Sequence, residues 1–216
     1  MEEEMPAIIY KNKNGERIPS VTTVLNQWGI KTQALLVWAW KRGEAGVDLR
    51  EKEEANVGTL AHLRIDAEIK GKDIDLSQYP PNIVSQSDVC IDNWGRWKKA
   101  HKFQPIGSEI SLVSEEHQYG GTIDIIGLID GLLSILDIKT GKEIYEDHIL
   151  QIVSYSKLWE KSFPEHPLKG KYHIIRLGKE IAMFSYNYYG EFPHAWEAFL
   201  MLRRLYDIHK EIKKLK

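Results

Sequence analysis

The stretch GGTIDIIGLIDGLLSILDIKTG, Gly120 to Gly141, decides how this chain folds. Two apolar runs flank Asp130-Gly131, a dipeptide that tolerates the positive φ of a two-residue hairpin turn. With that turn in place the register follows. Ile129 faces Leu132, Leu128 faces Leu133, and successive steps bring Asp124 opposite Asp137. Directly opposed residues hold their Cβ atoms roughly 4.5–5.5 Å apart on one face. Lys139, two residues beyond Asp137, shares that face. Opposed like charges destabilise a sheet, and burial worsens this by removing the water that screens them. A shared proton, a cationic side chain or a metal ion has to compensate. Lys139 can neutralise one acid as a structural ion pair. Equally, two acids with an open side suit Mg²⁺, which takes a few carboxylates together with waters and substrate phosphates. The hairpin alone leaves both open, and a one-residue slip would send the acids to opposite faces.

Around the hairpin the hydrophobic period changes. Before it, four segments have helical spacing or helix punctuation: 21–28, opened by Pro19-Ser20; 32–43, ending at Gly43; 56–71, ending at Gly71; and a fourth that starts near Pro81. PIGSEISLV (105–113) reads as a strand leading into the hairpin. After it come a helix over 146–162, strands over 171–178 and 180–189, and a long amphipathic helix over 194–215. The order is helices, then β-β-β-α-β-β, then a helix. It predicts an α/β fold in which a central mixed β-sheet is flanked by helices.

The 216 residues suit one domain: a mainly helical part over 1–103, a sheet core over 104–190 and a C-terminal helix over 191–216. No apolar run approaches the roughly 20 residues of a membrane helix, so no membrane partner is expected. The acidic start MEEEMP argues against a targeting peptide. Cys90 is the only cysteine, which excludes an internal disulfide and a four-cysteine cluster. A reducing, cytoplasmic setting is expected. The net charge of −2 does not by itself mark a nucleic-acid binder, although the tail RRLYDIHKEIKKLK is basic.

An acid on one strand followed by D-x-K on the next, here GTID and LDIKTG, resembles the PD-(D/E)XK nuclease superfamily. Three further elements match in order. GTLAH resembles the G-x-x-x-H element of the RecB-like branch and carries His62. Glu109 lies on the strand before the hairpin. Gln151 and Tyr155 match Q-x-x-x-Y on the following helix. PSVTTVL (19–25) resembles a signature of phage-type exonucleases and the mitochondrial genome-maintenance exonuclease, so phage or viral coding is compatible. The chain departs from the pattern where Ile123-Asp124 replaces a literal Pro-Asp, where Asp66 stands in place of a frequent Glu, and in lacking cluster cysteines.

The resemblance implies a restriction-endonuclease-like core and a DNA exonuclease using Mg²⁺ or Mn²⁺, without an iron–sulfur cluster. Asp124, Asp137 and the Ile138 carbonyl would hold the ion with His62, and Glu109 would support it. Lys139 would orient the attacking water. Gln151 would bond Lys139, and Tyr155 a substrate phosphate. DNA would be met by Ser20, Thr22 and Thr23 at a helix start and by Lys41, Arg42 and Lys142. Helices carrying Trp28, Trp38, Trp40, Trp94 and Trp97 would frame a passage for one strand, some rings stacking on bases and others forming core. The preferred substrate would be a single-stranded end or flap, in recombination, repair or replication, with any helicase on a separate chain. A site- or structure-specific endonuclease and a non-catalytic DNA-binding subunit of the same fold are the alternatives.

Overall fold

The computed structural model describes residues 8–29, 36–37, 39–41, 43–44, 46, 53–179 and 184–215. Tyr10–Lys11 (β1) and Arg17–Ile18 (β2) form an antiparallel ribbon. Two-residue strands have no hydrophobic period, so the ribbon is not legible in the sequence. Val21–Leu25 (α1) continues as a 3-10 turn over Asn26–Trp28 and stops at Gly29, whose φ is 69°. Residues 43 and 44 are still helical. The expected stop at Gly43 is therefore displaced to Gly46, which takes the left-handed φ of 68° and returns its N–H to the Gly43 carbonyl at 3.0 Å. Glycine weakens a helix interior without ending it; a positive φ ends it.

Glu53–Lys70 (α2) and Pro81–Ala100 (α3) complete the first half. Phe103–Ser114 (β3), Tyr119–Ile129 (β4), Leu132–Lys139 (β5), Lys171–Leu177 (β6) and Phe184–Tyr189 (β7) form one sheet in that order. Its pairings are antiparallel except β5 with β6, which are parallel and joined through Glu146–Ser162 (α4). Ala195–Lys213 (α5) closes the order. The expected β-β-β-α-β-β-helix sequence is observed; residues 180–183 of the last strand lie outside the described residues.

The sheet is covered on both faces, which explains why the hairpin is apolar along its length rather than alternating. Ile126, Ile135 and Ile174 pack with Val21 and Val24 of α1, Leu158 of α4 and Phe199 of α5. Ile125, Leu136, Ile138 and Ile175 pack with Leu60 and Ile65 of α2 and with Trp94 and Trp97 of α3. α2 and α3 thus form one whole layer over the sheet, while α1 joins α4 and α5 on the other face. Trp94 and Trp97 are fully buried and stacked at 5.1 Å, so these two rings are core and do not meet a substrate base. Trp40 is exposed, Trp28 half-buried, and Trp38 lies outside the described residues. No helix among the described residues is long and apolar enough to cross a membrane.

Candidate functional site

The hairpin register holds from Ile129↔Leu132 to Ile125↔Leu136, and there the β4–β5 ladder ends. The next pair, Asp124 with Asp137, does not form as a ladder pair. Asp124 instead turns its Oδ2 to accept the Ile138 N–H at 2.8 Å. A carboxylate replaces a backbone carbonyl, and the strands part at the level where two acids would be pressed together. On the other edge of β4, Ser108↔Ile125 and Ile110↔Ile123 flank the same level. Between them Glu109 has a φ of 51°. A non-glycine residue in that region costs about 1–2 kcal/mol, and such strain gathers where the fold needs a particular side-chain direction.

The third contributor comes from α2. A Cβ at Gly58 would lie 2.6 Å from Thr140 Oγ1, so only glycine lets the helix rest against the residue that follows Lys139. One turn on, His62 Nδ1 reaches to 3.6 Å from Asp124 Oδ2. The G-x-x-x-H spacing is thus a contact followed by a ligand-type side chain on one helix face. His62, Glu109 and Asp124 each offer an atom within 4.8 Å of the others.

Asp137 sits beneath this group and is 1% exposed. Lys139 Nζ lies 2.6 Å from its Oδ2. That contact is short but poorly aligned, since neither carboxylate oxygen makes a hydrogen bond. We therefore treat it as a charge pair. Burial pushes the Asp137 carboxyl up to about 6, opposed by Lys139 and reinforced by the Asp124 charge. Glu109 is pushed up to about 7, first by desolvation and then by the charges of Asp124 and Asp66, against Lys70. It remains reachable from solvent at the rim. Asp66 accepts from Ser108 Oγ at 2.6 Å and pairs with Lys70 at 2.7 Å. Surplus acid that a bound cation would relieve is the local theme.

The geometry differs from the expected ligand set in one respect. It groups Glu109, cast as a supporting residue, with His62 and Asp124, and leaves Asp137 engaged with Lys139. Gln151 donates to Tyr155 Oη at 2.9 Å rather than to Lys139. The four-residue spacing on α4 puts that pair one turn apart, so each satisfies the other locally. Burial, then the Asp124 charge, raises the Tyr155 hydroxyl well above its usual range. A Cβ at Gly121 would lie 2.6 Å from the Tyr155 ring, so this glycine lets the tyrosine cross β4 at close range.

Tyr155 borders a groove of about 240 Å³ that Tyr10, Ser20, Thr22 and Thr122 also line. Thr122 shares the face of Asp124 and bonds Tyr10 Oη at 2.7 Å and Ser111 Oγ at 2.8 Å. Alternation from Asp124 already points to Thr122; Tyr10 carries no sequence signal of its own. Ser20 is the N-cap of α1, its Oγ accepting the Thr23 N–H at 3.0 Å and exchanging hydroxyl bonds with Thr22 and Thr23. The Thr23 N–H is therefore taken by the cap, and Ser20 and Thr22 meet the groove as hydroxyls. Lys41 and Lys142 are exposed, and Arg42 lies outside the described residues.

No family model matches the chain, and no curated protein matches it. Among solved structures, it is similar to a candidate exonuclease from Eubacterium rectale, at 14% identity and a TM-score of 0.45 over 76% of this chain and 68% of that one. It is also similar to the protein SSO0001, at 14% identity and a TM-score of 0.36 over 82% of this chain and 85% of that one. Both likenesses are distant, and the functional reading rests on the side chains.

Proposed function

We propose that this chain is a metal-dependent DNA exonuclease that hydrolyses phosphodiester bonds from single-stranded ends or flaps during recombination, repair or replication. The observation that carries the reading is the convergence of His62, Glu109 and Asp124 beside the Asp137–Lys139 pair. One imidazole nitrogen and two carboxylates suit Mn²⁺, or Mg²⁺ with waters completing its shell. The residues fit such an ion. Asp137 has two buried oxygens without hydrogen bonds, and the Glu109 carboxyl is raised first by desolvation and then by the charges of Asp124 and Asp66. His62, Glu109 and Asp124 would hold the ion, with Asp137 and the Ile138 carbonyl behind them. A divalent ion there supplies charge that polarises a phosphoryl oxygen and acidifies a water.

The chain's own groups do the remaining work. Phosphoryl transfer depends mainly on positioning and on offsetting negative charge. Lys139, held by Asp137, presents its ammonium to the attacking water and to the phosphoryl oxygens. Gln151 fixes the Tyr155 hydroxyl, which together with Thr122 and Ser20 bonds phosphate or sugar oxygens along the groove. Lys41, Arg42 and Lys142 draw the strand electrostatically, so binding weakens as salt rises. A recombination, replication or helicase partner would act as a separate chain.

The test compares end-labelled linear with covalently closed circular single strands, and both with blunt duplex, in Mg²⁺, Mn²⁺ or EDTA. Digestion of linear single strands only, abolished by EDTA, is expected. Equal rates on circles would replace the exonuclease by an endonuclease. Full activity in EDTA would end the metal reading. DNA binding without cleavage under every metal condition would make the chain a non-catalytic subunit.

A further inference from the structure

The C-terminal helix carries an apolar stripe that its own fold does not use. Phe199 and Leu202 of α5 are buried against the sheet layer. On another side of the same helix Met201, Leu205 and Ile212 are exposed at 64%, 41% and 49%, and Leu215, just past its end at Lys213, at 86%. Half-buried Ile208 completes the row. Steps of four, three and four residues from Met201 to Ile212 give the seam of a two-stranded coiled coil, with Leu205 and Ile212 at a, and Met201 and Ile208 at d. One flank of this seam faces the protein's own body, where His209 Nδ1 meets Gln27 Oε1 at 2.8 Å. The other flank carries Arg204 and Glu211, 65% and 66% exposed, and points to solvent.

The stripe is self-complementary in one orientation. Place a second copy of the helix antiparallel, with a two-fold axis crossing between Tyr206 and Asp207. Met201 then meets Ile212 of the second copy, and Leu205 meets Ile208 of it. Every layer pairs an a with a d position. On the solvent flank Arg204 of each copy meets Glu211 of the other, giving opposite charges twice around the axis. A parallel alignment instead sets Arg204 near His209, and loses that complementarity. Within one chain Arg204 and Glu211 lie 3.8 Å apart across two turns and in full view of solvent, a contact of little worth.

We propose that this face of α5 is a homodimer interface, an antiparallel helix pair closed by reciprocal Arg204–Glu211 contacts. Such an isologous patch needs no second surface elsewhere on the molecule. Two helices of this length bury less than the standard interface of roughly 1,200–2,000 Å², so the dimer is reversible and concentration-dependent. It does not depend on the nuclease reading, because no residue of the stripe belongs to the candidate site.

Sedimentation equilibrium of the full chain over a wide concentration range tests it, with circular dichroism to verify that each variant is folded. A monomer–dimer equilibrium is expected. Glu211→Arg sets arginine against arginine twice and should weaken the dimer about tenfold or more. The double variant Arg204→Glu with Glu211→Arg reverses both signs and should restore it. Leu205→Lys, at an exposed position, should leave the monomer folded and abolish association. A chain that stays monomeric up to its solubility limit overturns the proposal. So does a dimer indifferent to Glu211→Arg or Leu205→Lys. Loss of the dimer in the single variant without recovery in the double overturns the antiparallel pairing.

Discussion

The two ends of one hairpin are built from the same kinds of residue and do opposite things. At the turn end, Ile129 and Leu132 close a regular ladder and the pairs beyond them fill the two cores. At the open end the ladder ends one step before the acids, and a carboxylate captures the amide that a carbonyl would have taken. Regular pairing stores stability. Broken pairing at Asp124, strain at Glu109 and a buried acid at Asp137 all cost stability, and they gather where three elements converge. Strands of one composition therefore separate folding from chemistry by where their hydrogen bonds stop.

Breaking the open end should give the largest effect. Asp124→Ala or Lys139→Ala is expected to lower cleavage about a thousandfold or more while the protein stays folded, as steady-state rates and circular dichroism would show. Ile135→Ala, in the regular part of the ladder, should do the reverse. It should cost about 2–5 kcal/mol in denaturant unfolding and leave the activity of the remaining folded protein near normal. If Ile135→Ala removed activity as completely as Asp124→Ala at equal folded fraction, the division between the two ends would not hold.

Gly58→Ala acts between those extremes. The new methyl would meet Thr140 Oγ1, so α2 must move and carry His62 away from Asp124. A loss of about 1–3 kcal/mol in stability is expected, together with activity reduced more at low than at high Mn²⁺. Adding Thr140→Ala removes the obstructing hydroxyl and should recover both. Failure of this rescue would mean that the glycine serves something other than that contact.

A smaller effect concerns pH. Glu109 and Asp137 are raised above their ordinary carboxylate values, to about 7 and about 6. Their contribution to stability is complete below the ordinary carboxylate range and is lost as pH rises through those raised values, because the native state then surrenders protons it had kept. The metal-free protein should thus lose this part of its stability between about pH 4 and pH 7. Glu109→Gln should flatten the slope in thermal melts. Buried His173 is shifted downward by desolvation, so it works in the opposite direction as pH falls below the ordinary histidine range. Mn²⁺ competes with the same carboxyl protons, so its affinity, read by titration calorimetry, should tighten from pH 6 to pH 8. Affinity unchanged over that interval would place the ion away from these two acids.

The smallest effect belongs to the groove. Thr122→Val keeps the shape and removes the hydroxyl that joins Tyr10 and Ser111, for about 1 kcal/mol. The reading above expects a several-fold rise in KM with little change in kcat. A change in kcat alone would move Thr122 from substrate binding to the chemistry of the open end.

Local patterns in the chain were sufficient for the element order from β3 to α5 and for the hairpin register as far as Ile125 and Leu136. The Asp130-Gly131 turn and the start of α1 at Ser20 are short-range effects, decided by φ preferences and neighbouring hydrogen bonds. Strand alternation also put Asp124, Asp137 and Lys139 on one face, whereas His62, Gln151 and Tyr155 were marked only by the resemblance to a known family. Tertiary structure decided the rest. That Glu109 joins His62 and Asp124 depends on a left-handed residue within β3, and that Gln151 serves Tyr155 depends on how α4 lies on the sheet. That Trp94 and Trp97 are core and Trp40 is surface depends on which layer covers which face. Periodicity gives a side chain's direction relative to its own backbone. Its distance to a group far off in sequence is set only when the layers pack.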